Sequence, residues 1–168
     1  MNILDGERVL ADSGLDSFKG GSSFGALSDA AIRFLLTRGR IISLADKEEL
    51  FRPGDAGDSL YIVLKGKLDY FRTSDQPGDD SETLIRTVSF GEELGYVAMI
   101  GLFQRIGFGR GHGEAVVLQL TSDLFYQLHL ELPFDFGILM LNLSRDMART
   151  IRKITDNLIE ASIGYSVA

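Results

Sequence analysis

Cysteine is absent from the 168-residue chain, and histidine occurs only twice. Without cysteine the chain can form neither a disulfide nor a thiolate metal site, and two separated histidines argue against a histidine-based metal enzyme. No run of 18 apolar residues predicts a transmembrane helix. The N-terminus also lacks the basic and apolar regions of a signal peptide. We therefore expect a cytoplasmic protein without a bound metal or membrane contact.

Basic residues are the second shortage. Lys and Arg number 17 against 24 Asp and Glu, which gives a net charge of −7. This balance disfavours nucleic acid or an anionic membrane as the main partner, since both favour a basic surface. A hydrophobic content of 45% and this length predict one globular domain with a real core. No nucleophile–base motif is visible, so we expect no enzymatic activity.

The first part of the chain predicts an extension and then a helix. Residues 1–23 end in a Gly-Gly-Ser-Ser cluster, and they either dock on the body through a helical turn or two or form a partly ordered extension. Ser28 is a candidate N-cap, and Gly39 fits a helix stop. We predict a helix over residues 28–38, and a domain that covers residues 24–168.

The middle of the chain predicts short strands separated by turns. Alternating or β-branched segments begin at Arg40, and Lys65-Gly66-Lys67 is interpreted as a tight hairpin turn. The polar segment SDQPGDDSE predicts an exposed loop. Residues 106–120 are interpreted as two strands joined around Gly111 to Glu114. This pattern is typical of a sandwich or a closed barrel.

The last third predicts two helices. Thr121 or Ser122 can cap a short helix that Pro133 breaks or restarts, and a long helix follows to about Glu160. An apolar stripe at steps of three and four runs along this helix. Its members are Phe136, Leu139, Leu143, Met147, Ile151, Ile154 and Leu158. Two interpretations stay open: the stripe pairs with a second copy in a homodimer, or it only packs on its own barrel.

The stretch most indicative of function is residues 90–105, FGEELGYVAMIGLFQR, here called the cassette segment. It contains a glycine turn, two carboxylates, a short mostly apolar run and an arginine. A cationic side chain beside the start of a short helix is a natural anion site.

These features together resemble the cyclic nucleotide-binding domain family. The most specific match is F-x-P-G-D-x-G-D-S-L-Y-I-V-x-x-G at residues 51–66, followed by FGE at 90–92 and by the spacing from Arg105 to Pro133. The resemblance covers about residues 24–160. It implies a mainly β fold, a jelly-roll-like β-roll of about eight strands flanked by a short N-terminal helix and a long C-terminal helix.

The resemblance also implies a ligand site in the cassette segment. Gly91 matches the family's cassette glycine, and Arg105 matches the arginine that pairs with the cyclic phosphate. Either Glu92 or Glu93 matches the glutamate that accepts the ribose hydroxyl, and Glu93 is slightly favoured because Leu94-Gly95 then continues in register. Ile106 stands where the family has a small residue, and the segment is two or three residues longer than usual.

The implied function is a regulatory module without a cofactor, with cyclic AMP or cyclic GMP as the possible ligand. The alternative is a degenerate domain that binds no nucleotide and serves as a scaffold for dimerisation or for an unidentified protein partner. Thr155, Asp156 and Asn157 lie where the family often places a lid contact to the purine. Since about eight residues follow the long helix, we expect no helix-turn-helix and no DNA binding.

Overall fold

Two long antiparallel strands form the centre of the fold in this computed structural model. The structure describes residues 1–74 and 80–165, with side chains up to residue 159. The described strands are β1 (Asn2–Leu4), β2 (Arg40–Leu44), β3 (Glu49–Phe51), β4 (Ser59–Thr73), β5 (Glu82–Val88), β6 (Glu93–Leu94) and β7 (Phe108–Thr121). The helices are α1 (Gly6–Ser13), α2 (Asp29–Arg38), α3 (Tyr96–Gly101), α4 (Ser122–Glu131) and α5 (Pro133–Tyr165), and a 3₁₀ turn covers Leu15–Ser17.

The described strands form one antiparallel sheet of seven strands. Its main path runs β1-β2-β7-β4-β5, while β3 pairs with β7 and β6 pairs with β4. Short N-terminal helices and the long α5 flank the sheet. The predicted β-roll with its flanking helices is therefore confirmed.

The alternating side chains of β4 enter two separate cores, as the period of a strand requires. Leu60 and Ile62 pack with the helices α2, α4 and α5 in the larger core. Tyr61 and Val63 point the other way, into a smaller core with residues of β2, β3 and β7. The sheet is therefore covered on both faces at its centre.

Two predicted turns are wrong. The Lys65-Gly66-Lys67 hairpin and the break around Gly111 to Glu114 both lie inside continuous strands, β4 and β7. Gly66 and Gly113 adopt positive φ angles of 73° and 69°, and the register between the two strands shifts beside them. Glycine at positive φ serves a β-bulge as well as a turn, and here it bends the paired strands without ending them. The predicted SDQPGDDSE loop falls largely on residues 75–79, outside the described residues.

The N-terminal 23 residues are docked on the body. β1 pairs with β2, and Asp5 caps the start of α1, with its carboxylate accepting the backbone N–H of Arg8 at 3.0 Å. Leu10 of α1 is buried in the larger core. The docked alternative is the one that the structure shows.

The predicted helices have the caps that the sequence indicated. The Ser28 hydroxyl accepts the N–H of Ala31 at the start of α2, and Thr121 caps α4 in the same way. α5 then begins at Pro133. Asp135 of α5 accepts hydrogen bonds from the N–H and the hydroxyl of Ser28, at 2.7 and 2.9 Å. This contact ties the start of α5 to the start of α2.

The apolar stripe of α5 divides into two halves. Leu139 and Leu143 are fully buried in the larger core. Ile151, Ile154 and Leu158 are exposed, by 58%, 47% and 66%. No described helix has both the length and the apolar character that a membrane span requires.

Candidate functional site

The cassette segment lines a cavity of about 490 Å³ between the sheet and α5. Its walls come from strands β4 and β5, from residues 92–98 and 103–105 of the cassette segment, and from the second half of α5. This volume lies within the range of about 300–1,000 Å³ that is usual for small-molecule sites. Of the predicted site residues, the cavity brings together Glu92, Glu93, Leu94, Arg105 and Ile106.

Gly91 does not line the cavity. Its φ is 76°, and an added Cβ would clash with the backbone of Gly21. The Gly91 carbonyl accepts the N–H of Ser23 at 2.9 Å, and its own N–H donates to Val63 at 2.8 Å. Gly91 therefore fixes the start of the cassette segment between the N-terminal region and β4.

The backbone of Arg105 is held by the Pro-Gly turn of the family-like motif. The Arg105 N–H donates to the carbonyl of Asp55, and the Arg105 carbonyl accepts the N–H of Gly54, both at 2.8 Å. The turn at residues 52–55 thus places Arg105 beside the sheet. The motif was the most specific part of the family resemblance, and the structure shows that its turn also positions the arginine.

The guanidinium of Arg105 is buried, with only 4% of the residue exposed. It donates to the carbonyl of Ser59, to the Ser59 hydroxyl at 3.3 Å and to the carbonyl of Gly95 at 3.0 Å. Its Cζ lies 4.7 Å from the ring centroid of Phe51. These contacts fix the plane of the guanidinium, and no carboxylate of the described residues pairs with it.

The described residues do not engage all donors of that guanidinium. The buried Arg105 Nε has no hydrogen-bond partner among the described residues. An arginine has five N–H donors, and a buried donor without a partner costs about 1–3 kcal/mol. Three hydrogen bonds to described residues engage three of its five N–H groups, so Arg105, which lines the cavity, retains donor capacity for an anionic or carbonyl oxygen.

Gly95 provides the space that Arg105 occupies. Its φ of 99° is in the left-handed region, and an added Cβ would lie 2.5 Å from Arg105 Nη1. A side chain here would both strain the backbone and displace the guanidinium. The glycine of the Leu94-Gly95 pair is thus explained by the packing of the arginine.

Glu93 is the more buried of the two candidate carboxylates, with 4% of the residue exposed. Its Oε2 accepts the N–H of Tyr96 at 3.0 Å, in the first turn of α3. Burial raises the pKa of Glu93 from 4.5 to about 7, and the Tyr96 hydrogen bond and the charge of Arg86 only partly offset this. Glu93 can therefore exchange a proton near neutral pH.

Glu92 has a different environment. Its Oε2 accepts the N–H and the hydroxyl of Ser89, at 2.7 and 2.8 Å, and thereby closes the turn before β6. Its other oxygen lies 3.7 Å from Arg86 Nη2. The two carboxylates therefore have different roles: Glu92 stabilises the turn before β6, and Glu93 is buried in the wall of the cavity.

Arg86 connects three elements around the cavity. From β5 it donates to Asp146 Oδ2 at 2.7 Å and to the Thr150 hydroxyl at 2.9 Å, both on α5, besides its contact with Glu92. Asp146 is 5% exposed, so its charge is compensated mainly by Arg86 and by Arg149 at 3.3 Å. This network attaches the middle of α5 to the cassette segment.

Sequence reasoning missed this network, although a signal was present. Asp146 follows Leu143 by three residues, and Thr150 follows Asp146 by four, which continues the spacing of the buried face of α5. An acid on a buried helix face requires a cation nearby. The sequence alone could not say that Arg86, sixty residues earlier, supplies it.

The predicted lid residues are only partly at the cavity. Asn157 lines it. The hydroxyl of Thr155 donates to the Ile151 carbonyl at 2.9 Å, and Asp156 faces Arg152 at 3.9 Å. Among the described residues, no group of three or more His, Cys, Asp or Glu side chains could hold a metal ion.

Comparisons with known proteins agree with the fold. A domain from Methylobacillus flagellatus KT, solved as a cyclic nucleotide-binding domain, matches with a TM-score of 0.79 at 21% identity, covering 95% of this chain and 88% of its own. The N-terminal domain of a transcriptional regulator from Streptomyces coelicolor A3(2) matches with a TM-score of 0.63 at 28% identity, over 84% and 96% of the two chains. The Thermus thermophilus catabolite activator protein matches with a TM-score of 0.69 at 23% identity, over 84% of this chain and 63% of its own.

A search of curated protein sequences found no match. The sequence profile described as the cyclic nucleotide-binding domain, however, matches residues 41–131, just over half of the chain. The matched region contains the cassette segment, Arg86 and both long strands. This chain therefore belongs to the cyclic nucleotide-binding domain family.

Proposed function

We propose that this protein is a regulatory module whose cavity binds a cyclic nucleotide. The observation that carries the proposal is Arg105, a buried arginine that lines the cavity and has no carboxylate partner among the described residues. Its charge persists at any physiological pH, and its fork matches a phosphate edge. In the proposal, Arg105 takes the cyclic phosphate.

Glu93 takes the ribose hydroxyl in the same proposal. It is buried in the cavity wall and uses one oxygen for Tyr96, which leaves acceptor capacity on the carboxylate. Glu92 is already engaged by Ser89 and Arg86. This difference favours Glu93 over Glu92 as the carboxylate that accepts the ribose hydroxyl.

The regulatory output of the proposal is a movement of α5. Arg86 lines the cavity in which the ligand would lie. It also holds α5 through hydrogen bonds to Asp146 and Thr150. A ligand shifts α5 only if it binds one position of the helix better than another. We propose that occupancy of the cavity changes how Arg86 divides its contacts between Glu92 and Asp146.

Calorimetric titration of the full chain with cyclic AMP and cyclic GMP tests this function. We expect binding to the wild type, and a loss of at least about tenfold in affinity for Arg105→Gln, equivalent to about 1.4 kcal/mol. The matched control is Arg33→Gln, an exposed arginine on α2 outside the cavity. Thermal melts verify that each variant is folded. Absence of heat with both nucleotides, or binding that Arg105→Gln leaves intact, refutes the proposal.

A second candidate function is supported by the exposed half of α5. Ile151, Ile154 and Leu158 lie uncovered on this helix, and a second copy of the chain could bury them. In this alternative the domain is a dimerisation scaffold, with or without a ligand. Ile154 belongs both to this stripe and to the cavity wall, whereas Ile151 and Leu158 lie outside the cavity lining, so a dimer contact through the stripe would border the ligand site.

A further inference from the structure

We propose that the ligand carries a second anionic group, held by α5, and that its chemical class is a cyclic dinucleotide. This inference rests on the proposed function, since it concerns the same cavity. α5 contributes five polar side chains to the cavity wall, at helical spacing. They are Asp146, Arg149, Thr150, Lys153 and Asn157.

Two of these side chains are already committed. Asp146 and Thr150 are bound to Arg86, at 2.7 and 2.9 Å. Arg149 keeps one contact with Asp146, at 3.3 Å, on a carboxylate that Arg86 holds more closely. Lys153 makes no ion pair within the part of the chain that the structure describes. The α5 wall therefore presents two cationic side chains to the cavity. Arg149 has one weak contact with a carboxylate, and Lys153 has no ion pair with the described residues.

The charge of the cavity contrasts with that of the chain. Arg86 and Arg149 balance Asp146 and Glu92, with which they form their contacts. The remaining charged lining residues are Arg105, Lys153 and the carboxyl of Glu93, whose pKa is near 7. The cavity thus has an excess of positive charge in a chain with a net charge of −7. One phosphate at Arg105 leaves Lys153 without a partner.

The positions of the two cations select the class of ligand. Arg105 is held against β4 and Gly95, whereas Lys153 belongs to α5, so the two cations lie on different walls. A nucleoside diphosphate or triphosphate has adjacent phosphates and would place them at one wall. A cyclic dinucleotide carries two phosphodiesters separated by nucleosides, which matches two cations on separate walls. Asn157 follows Lys153 by one helical turn, where its amide can bind a base edge.

The experiment compares cyclic di-GMP with cyclic GMP by calorimetry on the full chain. We expect the wild type to bind cyclic di-GMP at least about tenfold more tightly. Lys153→Gln should weaken cyclic di-GMP about tenfold and leave cyclic GMP within about twofold. The matched control is Arg152→Gln, which removes the neighbouring charge on a side chain that faces Asp156 outside the cavity. It should change neither affinity.

The outcomes separate this inference from the proposed function. If cyclic GMP binds as tightly as cyclic di-GMP, or if Lys153→Gln behaves like Arg152→Gln, the second anion site is refuted while the cyclic nucleotide site stands. If Arg105→Gln abolishes binding of both ligands but Lys153→Gln affects only the dinucleotide, the two walls act as proposed. If neither cyclic di-GMP nor cyclic GMP binds the wild type, the inference falls, and the proposed function falls with it if cyclic AMP does not bind either.

Discussion

The buried carboxyl of Glu93 should give the protein a pH-dependent stability. Its pKa is raised from 4.5 to about 7 in the folded state, mainly by burial. Below pH 4.5 both the folded and the unfolded chains hold this proton, so burial imposes no charge penalty. Between pH 4.5 and 7 the unfolded chain ionises while the folded chain keeps its proton, so stability falls as pH rises.

The size of the effect follows from the two pKa values. Their difference corresponds to about 3 kcal/mol, lost at about 1.4 kcal/mol per pH unit across that window. Glu93→Gln cannot ionise, but its amide oxygen can still accept the Tyr96 N–H. The free energy of unfolding of the wild type relative to Glu93→Gln should therefore fall by about 3 kcal/mol between pH 4.5 and pH 7.5.

Urea denaturation of both proteins at several pH values measures this difference directly. Other carboxylates titrate alike in the two proteins and cancel. Glu114→Gln, which removes an exposed carboxylate on β7, is the matched control and should differ from the wild type by no more than about 0.5 kcal/mol throughout. A wild-type to Glu93→Gln difference that is constant across the range would refute the burial argument. A difference that grows in the opposite direction would show that Glu93 is stabilised as the anion.

Three further predictions follow from the site and from α5. Gly95→Ala should lower the affinity for a cyclic nucleotide and the free energy of unfolding, the latter by at least about 1 kcal/mol, because the added Cβ displaces Arg105. Titration and urea denaturation measure the two effects, and unchanged values would contradict the packing of Gly95 against Arg105. Arg86→Ala should lower the free energy of unfolding by about 2 kcal/mol, because it leaves Asp146 without its main cation. In a double-mutant cycle, adding Asp146→Asn should recover part of this loss, whereas strictly additive effects would mean that the two residues are not coupled. If α5 forms a homodimer, Leu158→Glu should halve the sedimenting mass without lowering the melting temperature of the monomer; an unchanged dimer mass would exclude this part of α5 as the interface.

Much of the fold could be predicted from the sequence because its signals are local. The caps at Ser28 and Thr121, the restart at Pro133 and the alternation of β4 each depend on a few neighbouring residues. The family-like motif at residues 51–66 added the architecture. The two wrong turns were both at glycines, where local sequence cannot distinguish a reversal of the chain from a bulge in a long strand.

The site could be predicted only in part, because its second half comes from distant segments. The resemblance to the family's cassette motif pointed to Arg105 and, with Glu92 as the alternative, to Glu93, and the structure places all three in the lining of one cavity. Their ligand contacts stay a prediction. Arg86 and Asp146 were missed because they meet only after α5 packs across the sheet. A pairing over sixty residues leaves no short-range pattern in the sequence.

The pairing of β4 with β7 has a consequence for how this domain can vary. The ladder joins Ser59 to Thr121 and Phe71 to Phe108, so β5 and the whole cassette segment form an insertion between two paired strands. Closing a longer loop is inexpensive, about 0.6 kcal/mol for each doubling of its length. Two or three extra residues lengthen this insertion only slightly, so their cost in loop-closure free energy is well below about 0.6 kcal/mol. Natural variation or a designed library can change the length and chemistry of this insertion, and hence the ligand, while the scaffold that encloses it stays the same.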